Sequence, residues 1–260
     1  MNALIIAAAI GLVSAPAIAA TVKAVGPAPA MARVAAGEFE SVLPVAPGNN
    51  RARVESFEMD AVPVTNGQFA AFVAANPHWR RDRVPRLMAD PEYLSHWQTP
   101  ASPASAERNQ PVVRVSWFAA RAYCEWRGAR LPTWYEWEWA AAASESAVDA
   151  RNDARWKQKI LAWYARPATG PLPDVGSQPA NVHGIRDLHG VVWEWVEDYN
   201  SLLVAGDNRQ QSESDVTRFC GSGALTMEQK EQYATLMRIA MLSSLKAEHT
   251  TATTGFRCAR

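Results

Sequence analysis

Residues 184–195 read Gly-Ile-Arg-Asp-Leu-His-Gly-Val-Val-Trp-Glu-Trp, and the prediction of the fold starts from this segment. Its first half contains Arg186, Asp187 and His189 and ends at Gly190, and glycine is common where a chain turns. Its second half, which continues to Val196, is apolar apart from Glu194. The segment therefore predicts a turn that leads into an apolar stretch with a single carboxylate.

Two histidines flank the aspartate of this segment, with His183 before Asp187 and His189 after it. Imidazole and carboxylate groups are common metal ligands, so these residues form a candidate metal site. The alternative is that both histidines lie in turns, beside an aspartate whose hydrogen bonds are already satisfied. The sequence leaves both interpretations open.

Upstream of this segment, helices are predicted where a capping residue precedes an apolar pattern. Thr65, Ser116 and Thr133 are candidate N-caps, and Glu136 completes a capping box with Thr133. A further helix is predicted around residues 156–163, within an otherwise mostly polar stretch. Irregular segments rich in Pro, Arg and Trp separate these helices.

Strands are predicted at both ends of the domain. Alternating apolar and polar residues within 37–60 indicate two short strands around a turn at 47–50, and residues 255–260 are typical of a final strand. Residues 20–36, rich in Ala, Pro and Val, are predicted to be an extended lead-in. A chain of 260 residues suffices for one sizeable core, so residues 37–260 are predicted to form one α+β domain with much loop.

The charge of the chain argues against a nucleic-acid-binding protein, and its first residues indicate export. The formal net charge is +0, and no clustered basic surface indicates a nucleic-acid partner. Residues 1–19 combine an apolar stretch at 4–13 with the sequence Ala-Ile-Ala at 17–19, a pattern typical of a cleaved signal peptide. An uncleaved membrane anchor is the competing interpretation. We therefore expect a periplasmic protein without further membrane contact.

The chain has three cysteines, Cys124, Cys220 and Cys258. In an oxidising compartment, an odd number implies one disulfide and one remaining thiol. The positions of the cysteines do not by themselves decide which two are paired.

Several short motifs together resemble the family of formylglycine-generating sulfatase-modifying factors. Besides residues 184–195, they are Val-Thr-Asn-x-Gln-Phe at 64–69, Pro-Val-Val-x-Val-Ser-Trp at 111–117, Ala-Tyr-Cys-x-Trp at 122–126, Arg-Leu-Pro-Thr at 130–133, Glu-Trp-Glu at 136–138 and Gly-Phe-Arg-Cys-Ala at 255–259. Each motif alone is weak. In this order they span nearly all of the mature chain, which makes the resemblance specific.

The resemblance implies a fold related to the C-type lectins, with little regular secondary structure. Members of the family oxidise a cysteine of sulfatases to formylglycine, using molecular oxygen and a copper ion held by two cysteines. Related branches include iron enzymes of ergothioneine synthesis and a periplasmic factor that matures the pyoverdine chromophore. The resemblance also implies a disulfide between Cys124 and Cys258, which leaves Cys220 as the free thiol.

This chain departs from the family at the copper site. The copper-binding cysteines correspond to Leu225 and Ala234 here, and no cysteine lies between Gly221 and Arg257. Thiolates are the ligands that select Cu(I), and neither Leu nor Ala can replace them. We therefore expect the formylglycine reaction to be absent.

Two structural features of the family are altered as well. A second disulfide of vertebrate members corresponds to Ala141 and Ile239, which are expected to pack as apolar replacements. At a structural calcium site, Val191 stands where the family has Asn, while Glu194 remains. Because Ca²⁺ needs roughly six to eight oxygen ligands, Glu194 is either a calcium ligand or a buried, hydrogen-bonded carboxylate.

Because the copper-binding cysteines are missing, other side chains are candidates for a different catalytic or binding site. The candidate catalytic residues are Cys220, His189, Ser222 and Arg238. The candidate ligands of a copper or iron ion are Glu194, His189 and His183. Trp193 and Trp195 are candidates to line a ligand groove, because Trp offers a large contact area at low entropic cost.

Three functional hypotheses follow. The favoured one is an exported maturation or accessory factor with a periplasmic protein partner, because the motifs also resemble a branch of the family that accompanies copper nitrite reductase in gene clusters. The first alternative is an oxygen- and metal-dependent oxidase with a rebuilt His/Cys site. The second alternative is a lectin-like binding module without catalysis.

Overall fold

The structure, a computed structural model, describes residues 30–46, 49–165, 170–201 and 233–260. Within these ranges, α-helices and short β-strands are joined by long irregular segments. The predicted mixture of helix, strand and loop is confirmed.

The described residues form five α-helices, of which the first three begin directly after capping residues that the sequence indicates. They are α1 (Asn66–Ala75), α2 (Trp117–Trp126), α3 (Trp134–Ala141), α4 (Ala154–Tyr164) and α5 (Tyr233–Ser243). Thr65 and Thr133 form capping boxes with Gln68 and Glu136, and the Ser116 hydroxyl accepts the backbone N–H of Ala119. These side chains satisfy backbone donors that have no partner within the helix, which sets where each helix starts. The mostly apolar segment of α5 had no predicted element.

Three two-stranded sheets hold the chain together. Strand β1 (Met31–Val34) pairs antiparallel with β4 (Phe57–Asp60), β2 (Gly37–Glu40) pairs antiparallel with β3 (Arg51–Val54), and β5 (Trp193–Glu194) pairs parallel with β6 (Thr254–Gly255). The first strand lies in the segment that was predicted as an extended lead-in. The predicted turn at 47–50 falls partly outside the described residues, but Ala46 and Asn49 form a bridge across it.

The predicted final strand at 255–260 is shorter than expected. Regular pairing covers only Thr254–Gly255, and Ala259 then bridges Met59 on one side and Arg130 on the other. A Cβ atom on Gly255 would lie 2.5 Å from the carbonyl oxygen of Val112. The close approach of these two backbones therefore requires glycine at this position.

The core sits between α1, α2 and the C-terminal segment. The rings of Phe69, Tyr123 and Phe256 meet there, with centroids 5.7 Å apart for Phe69–Tyr123 and 5.4 Å apart for Tyr123–Phe256. All three side chains are fully buried. A disulfide between Cys124 and Cys258, also fully buried, links the same helix to the same segment. The pair is the one that the family resemblance implies.

Non-reducing peptide mapping should recover Cys124 linked to Cys258. In the unfolded, non-reduced protein, Cys220 should be the one cysteine that an alkylating reagent modifies. Removing the link by Cys124→Ala together with Cys258→Ala should lower the free energy of unfolding by about 5 kcal/mol, because the bridge closes a loop spanning 134 positions. Cys220→Ser is the matched control and should leave the mapped link intact. A bridge involving Cys220 in the wild-type protein would refute the assignment.

Candidate functional site

Glu194 is the centre of a buried ionic cluster. Its Oε1 accepts from Nη2 of Arg257 at 2.8 Å, and its Oε2 accepts from Nε of Arg257 and Nε1 of Trp137, each at 2.8 Å. The side chains of Glu194 and Arg257 are both fully buried. A desolvated carboxylate is tolerated only when it is paired and hydrogen-bonded in this way. Of the two interpretations left open by the sequence, the structure favours the hydrogen-bonded carboxylate over the calcium ligand.

Arg257 connects this carboxylate to two further parts of the chain. Its Nη1 donates to the carbonyl oxygen of Asp60 at 3.0 Å, and its Nη2 donates to that of Arg186 at 2.9 Å. The guanidinium therefore reaches β4, the turn before β5 and β5 itself. Its planar array of donors makes it suited to such a multivalent role.

A second arginine, Arg238 of α5, lies over the ring of Trp137. Its guanidinium carbon sits 3.5 Å from the centroid of the Trp137 ring, and its Nη2 donates to the carbonyl oxygen of Glu194. Burial lowers the pKa of Arg238 to about 10, which still leaves it charged at neutral pH. The cluster thus holds two guanidinium groups for one carboxylate. This places the predicted catalytic candidate Arg238 in a packed structural environment, stabilised by the face of an aromatic ring.

His189 is enclosed between aromatic rings. Its ring centroid lies 5.7 Å from that of Trp137 and 5.5 Å from that of Trp156, both in edge-on geometry. Its Nε2 lies 2.9 Å from the carbonyl oxygen of Ala141, so Nε2 carries the proton and donates. Burial lowers the pKa of His189 to about 4, so the ring is neutral at physiological pH.

The predicted metal site around Asp187 is not assembled. The Asp187 carboxylate accepts the backbone N–H groups of Gly176 and Gln178, the latter at 3.1 Å, together with the hydroxyl of Ser177. These donors stabilise an aspartate whose backbone has a positive φ of 60°. Within the described ranges, no three His, Cys, Asp or Glu side chains are close enough to hold a metal ion. The prediction that His183, His189 and Glu194 bind a metal ion is therefore corrected for the described residues. The Glu194 carboxylate is paired with Arg257, and Nε2 of His189 donates to the carbonyl oxygen of Ala141.

The predicted tryptophan groove also needs correction. Trp195 is fully buried, with its Nε1 donating to the carbonyl oxygen of Val115 at 3.0 Å, so it belongs to the core. Trp193 is half-buried and is covered by Trp163 and Tyr164 of α4, with centroids 5.6 and 5.3 Å away. Helix α4 therefore packs on the surface where a groove was expected.

Several candidates lie outside the described residues, namely Cys220, Ser222 and the position of Leu225. The replacements for the second family disulfide, Ala141 and Ile239, are both buried in the main hydrophobic core. Sequence reasoning missed Arg257 and the aromatic residues of α4. Trp156 and Trp163 are seven residues apart and so share one helix face, which was the available signal.

In the part of the chain that the structure describes, no helix has the length and apolar character needed to cross a bilayer.

A protein-family model matches most of the chain. Residues 17–260 match the model of the sulfatase-modifying factor enzyme 1-like domain. The formylglycine-generating enzyme of Streptomyces coelicolor is 29% identical over 251 residues, covering 80% of this chain and 79% of that protein. The corresponding enzyme of Thermomonospora curvata is 30% identical over 260 residues, covering 80% of this chain and 82% of the relative.

A relative named as inactive is similar too. The inactive C-alpha-formylglycine-generating enzyme 2 of Bos taurus is 32% identical over 179 residues, covering 55% of this chain and 60% of that protein. Among solved structures, CarF superposes with a TM-score of 0.51 at 14% identity, covering 90% of this chain and 98% of its own. At this identity the likeness shows the fold alone, and it supports the fold prediction.

Glu194→Gln should lower the free energy of unfolding by about 3–5 kcal/mol, because it leaves Arg257 buried without a counter-charge. Glu125→Gln is the matched control: its carboxylate pairs with Arg121 on the exposed face of α2, and such pairs contribute about 0.5 kcal/mol or less. Urea denaturation measures both. Equal losses in the two variants, or a thermal midpoint of the wild type that rises on adding Ca²⁺, would contradict the assigned role of Glu194.

Acid should destabilise the protein partly through His189. The pKa of His189 in the folded state, about 4, is below the ordinary value of 6.5, so the unfolded chain takes up a proton first. Its stabilising contribution is complete above pH 6.5 and is lost as the pH falls towards 4. Between pH 6.5 and 4.5 the wild type should lose about 2 kcal/mol more than His189→Gln in urea titrations. His78→Gln, at an exposed position, should show the wild-type dependence, and a parallel loss in all three proteins would refute the argument.

Proposed function

The chain belongs to the family of sulfatase-modifying factor enzyme 1-like domains, and from that membership we propose that it is an exported maturation or accessory factor that does not make formylglycine. Its client would be a periplasmic metalloenzyme, with copper nitrite reductase as the first candidate. The resemblance of its motifs to the branch found beside such enzymes supports this choice of client.

The availability of thiols carries the proposal. The chain has three cysteines, and the disulfide between Cys124 and Cys258 uses two of them. One thiol, Cys220, is left, whereas the copper site implied by the family needs two thiolates. The residues present therefore do not fit that copper site, and no step through it is derived for this chain. The inactive relative of Bos taurus indicates that the family also includes proteins named as lacking this activity.

A role in binding or positioning a client is consistent with the rest of the site. The side chains of Glu194 and Arg257 are buried and paired with each other, so this ion pair stabilises the scaffold rather than facing a substrate. The apolar stretch and Ala-Ile-Ala sequence within residues 1–19 support export. Export would place the protein in the compartment where its disulfide persists.

Two measurements together test the proposal, and the first concerns formylglycine. A sulfatase-type peptide containing Cys-x-Pro-x-Arg should remain unconverted after incubation with the copper-treated protein in air. The Streptomyces coelicolor enzyme serves as the positive control, and mass spectrometry reads the product. Formylglycine in the peptide would sink the proposal.

The second measurement concerns the client. Deleting the gene in its own bacterium should lower the copper content and specific activity of the periplasmic nitrite reductase. The full-length gene should restore both, whereas a version lacking residues 1–19 should not, because its product would stay in the wrong compartment. Unchanged reductase in the deletion strain, or full rescue by the truncated version, would overturn the assignment of client or of export, respectively.

A further inference from the structure

Helix α4 covers Trp193 but contributes little to the core. Of its 11 residues only Ile160 is buried, and none belongs to the main hydrophobic core of the described residues. Leu161 on its outer face is 42% exposed. Helix α2, by contrast, buries four residues and carries one half of the disulfide. Because hydrophobic stabilisation grows with the apolar area removed from water, α4 is held less firmly than α2.

The packing beneath α4 is incomplete. A cavity of about 420 Å³ lies between the helix, which presents Trp156 and Ile160, and the turn before β5, which presents Ile185 and Leu188. Across this volume the helix and the turn do not touch, so α4 lacks the dispersion contacts of a closely packed interior.

An ion pair at the edge of the same cavity adds little to the attachment of α4. Lys159 of the helix pairs with Glu145 at 2.9 Å, and 56% of each side chain is exposed. An ion pair in water gains little because solvent screens both charges. The attachment of α4 therefore depends on other contacts.

Aromatic rings attach both ends of α4 to residues 189–193. At the end of the helix, the ring centroids of Trp163 and Tyr164 lie 5.6 and 5.3 Å from that of Trp193. At its start, Trp156 meets His189 edge-on at 5.5 Å. Aromatic pairs stabilise a structure beyond the area that they bury. These rings therefore hold α4 in place above a poorly filled space.

We propose that α4 is a lid, which opens as a local unit while the core stays folded and closes again through the contacts of Trp163 and Tyr164 with Trp193. Segments with few buried apolar residues open at a lower free energy than the core does. Opening uncovers Trp193, the residue that the sequence made a candidate for a ligand groove. In the closed state, two aromatic side chains of the chain itself occupy the surroundings of Trp193 and exclude an outside aromatic group. The inference does not depend on the proposed function.

Hydrogen exchange of the mature full-length protein, read by mass spectrometry, tests the lid without any substitution. The protection factors of amides within α4 should be at least about tenfold lower than those within α2. Low concentrations of urea should leave exchange in α4 unchanged, because a local opening exposes little surface. Exchange in α2 should accelerate with urea, because its amides exchange through global unfolding. Equal protection of the two helices, or the same urea dependence in both, would overturn the proposal.

A variant of the aromatic contacts tests how the lid closes. Trp163→Ala together with Tyr164→Ala should lower the protection of α4 about tenfold further and leave that of α2 unchanged. Hydroxyl-radical footprinting should show faster oxidation of Trp193 in this variant. Leu161→Ala, on the exposed face of the same helix, is the matched control and should change neither measurement. An equal fall of protection in α2, or unchanged oxidation of Trp193, would contradict the assigned role of these rings.

Discussion

The ion pair between Glu194 and Arg257 is the interaction on which the rest of the structure depends. Both side chains are fully buried, so neither can be solvated. Arg257 donates from Nε and Nη2 to Glu194, and it also donates to the carbonyl oxygens of Asp60 and Arg186. The neighbouring residue Cys258 is held twice, by its disulfide to α2 and by donating its N–H to Asp60 at 3.0 Å. Asp60 in turn forms a two-point ion pair with Arg127 at the end of α2. The regular strands of this fold are few and short. These polar contacts, rather than a large sheet, therefore fix the positions of α2, β4, β5 and the C-terminal segment relative to one another.

The sequence predicted the parts of this fold that are locally encoded. The caps at Thr65, Ser116 and Thr133 act within three residues of themselves, so the helices they start were predictable. The partner of Glu194 is 63 positions away, and no periodic pattern connects the two residues. Whether that carboxylate meets a metal or an arginine was therefore left open until the structure showed it.

The candidate site was harder to predict for the same reason. The sequence made Arg238 a candidate catalytic residue, because it is a charged residue in a mostly apolar segment. Its actual surroundings include the face of Trp137, which belongs to another helix. Trp195 and Trp193 are two residues apart, but the first is in the core and the second is covered by α4. The absence of the family's copper thiolates could be read directly from the sequence, because cysteines can be counted without a structure.

The antiparallel contacts between the two distant parts of the chain have a consequence for the order of folding. Glu58 and Arg260 exchange two backbone hydrogen bonds, of 3.1 and 2.8 Å, and Val64 donates to the carbonyl oxygen of Phe256 at 3.0 Å. Contacts of such high sequence separation form slowly and late. The contacts that close the core around β4 and α1 therefore wait for residues 254–260, so we expect this core to be among the last parts of the fold to form.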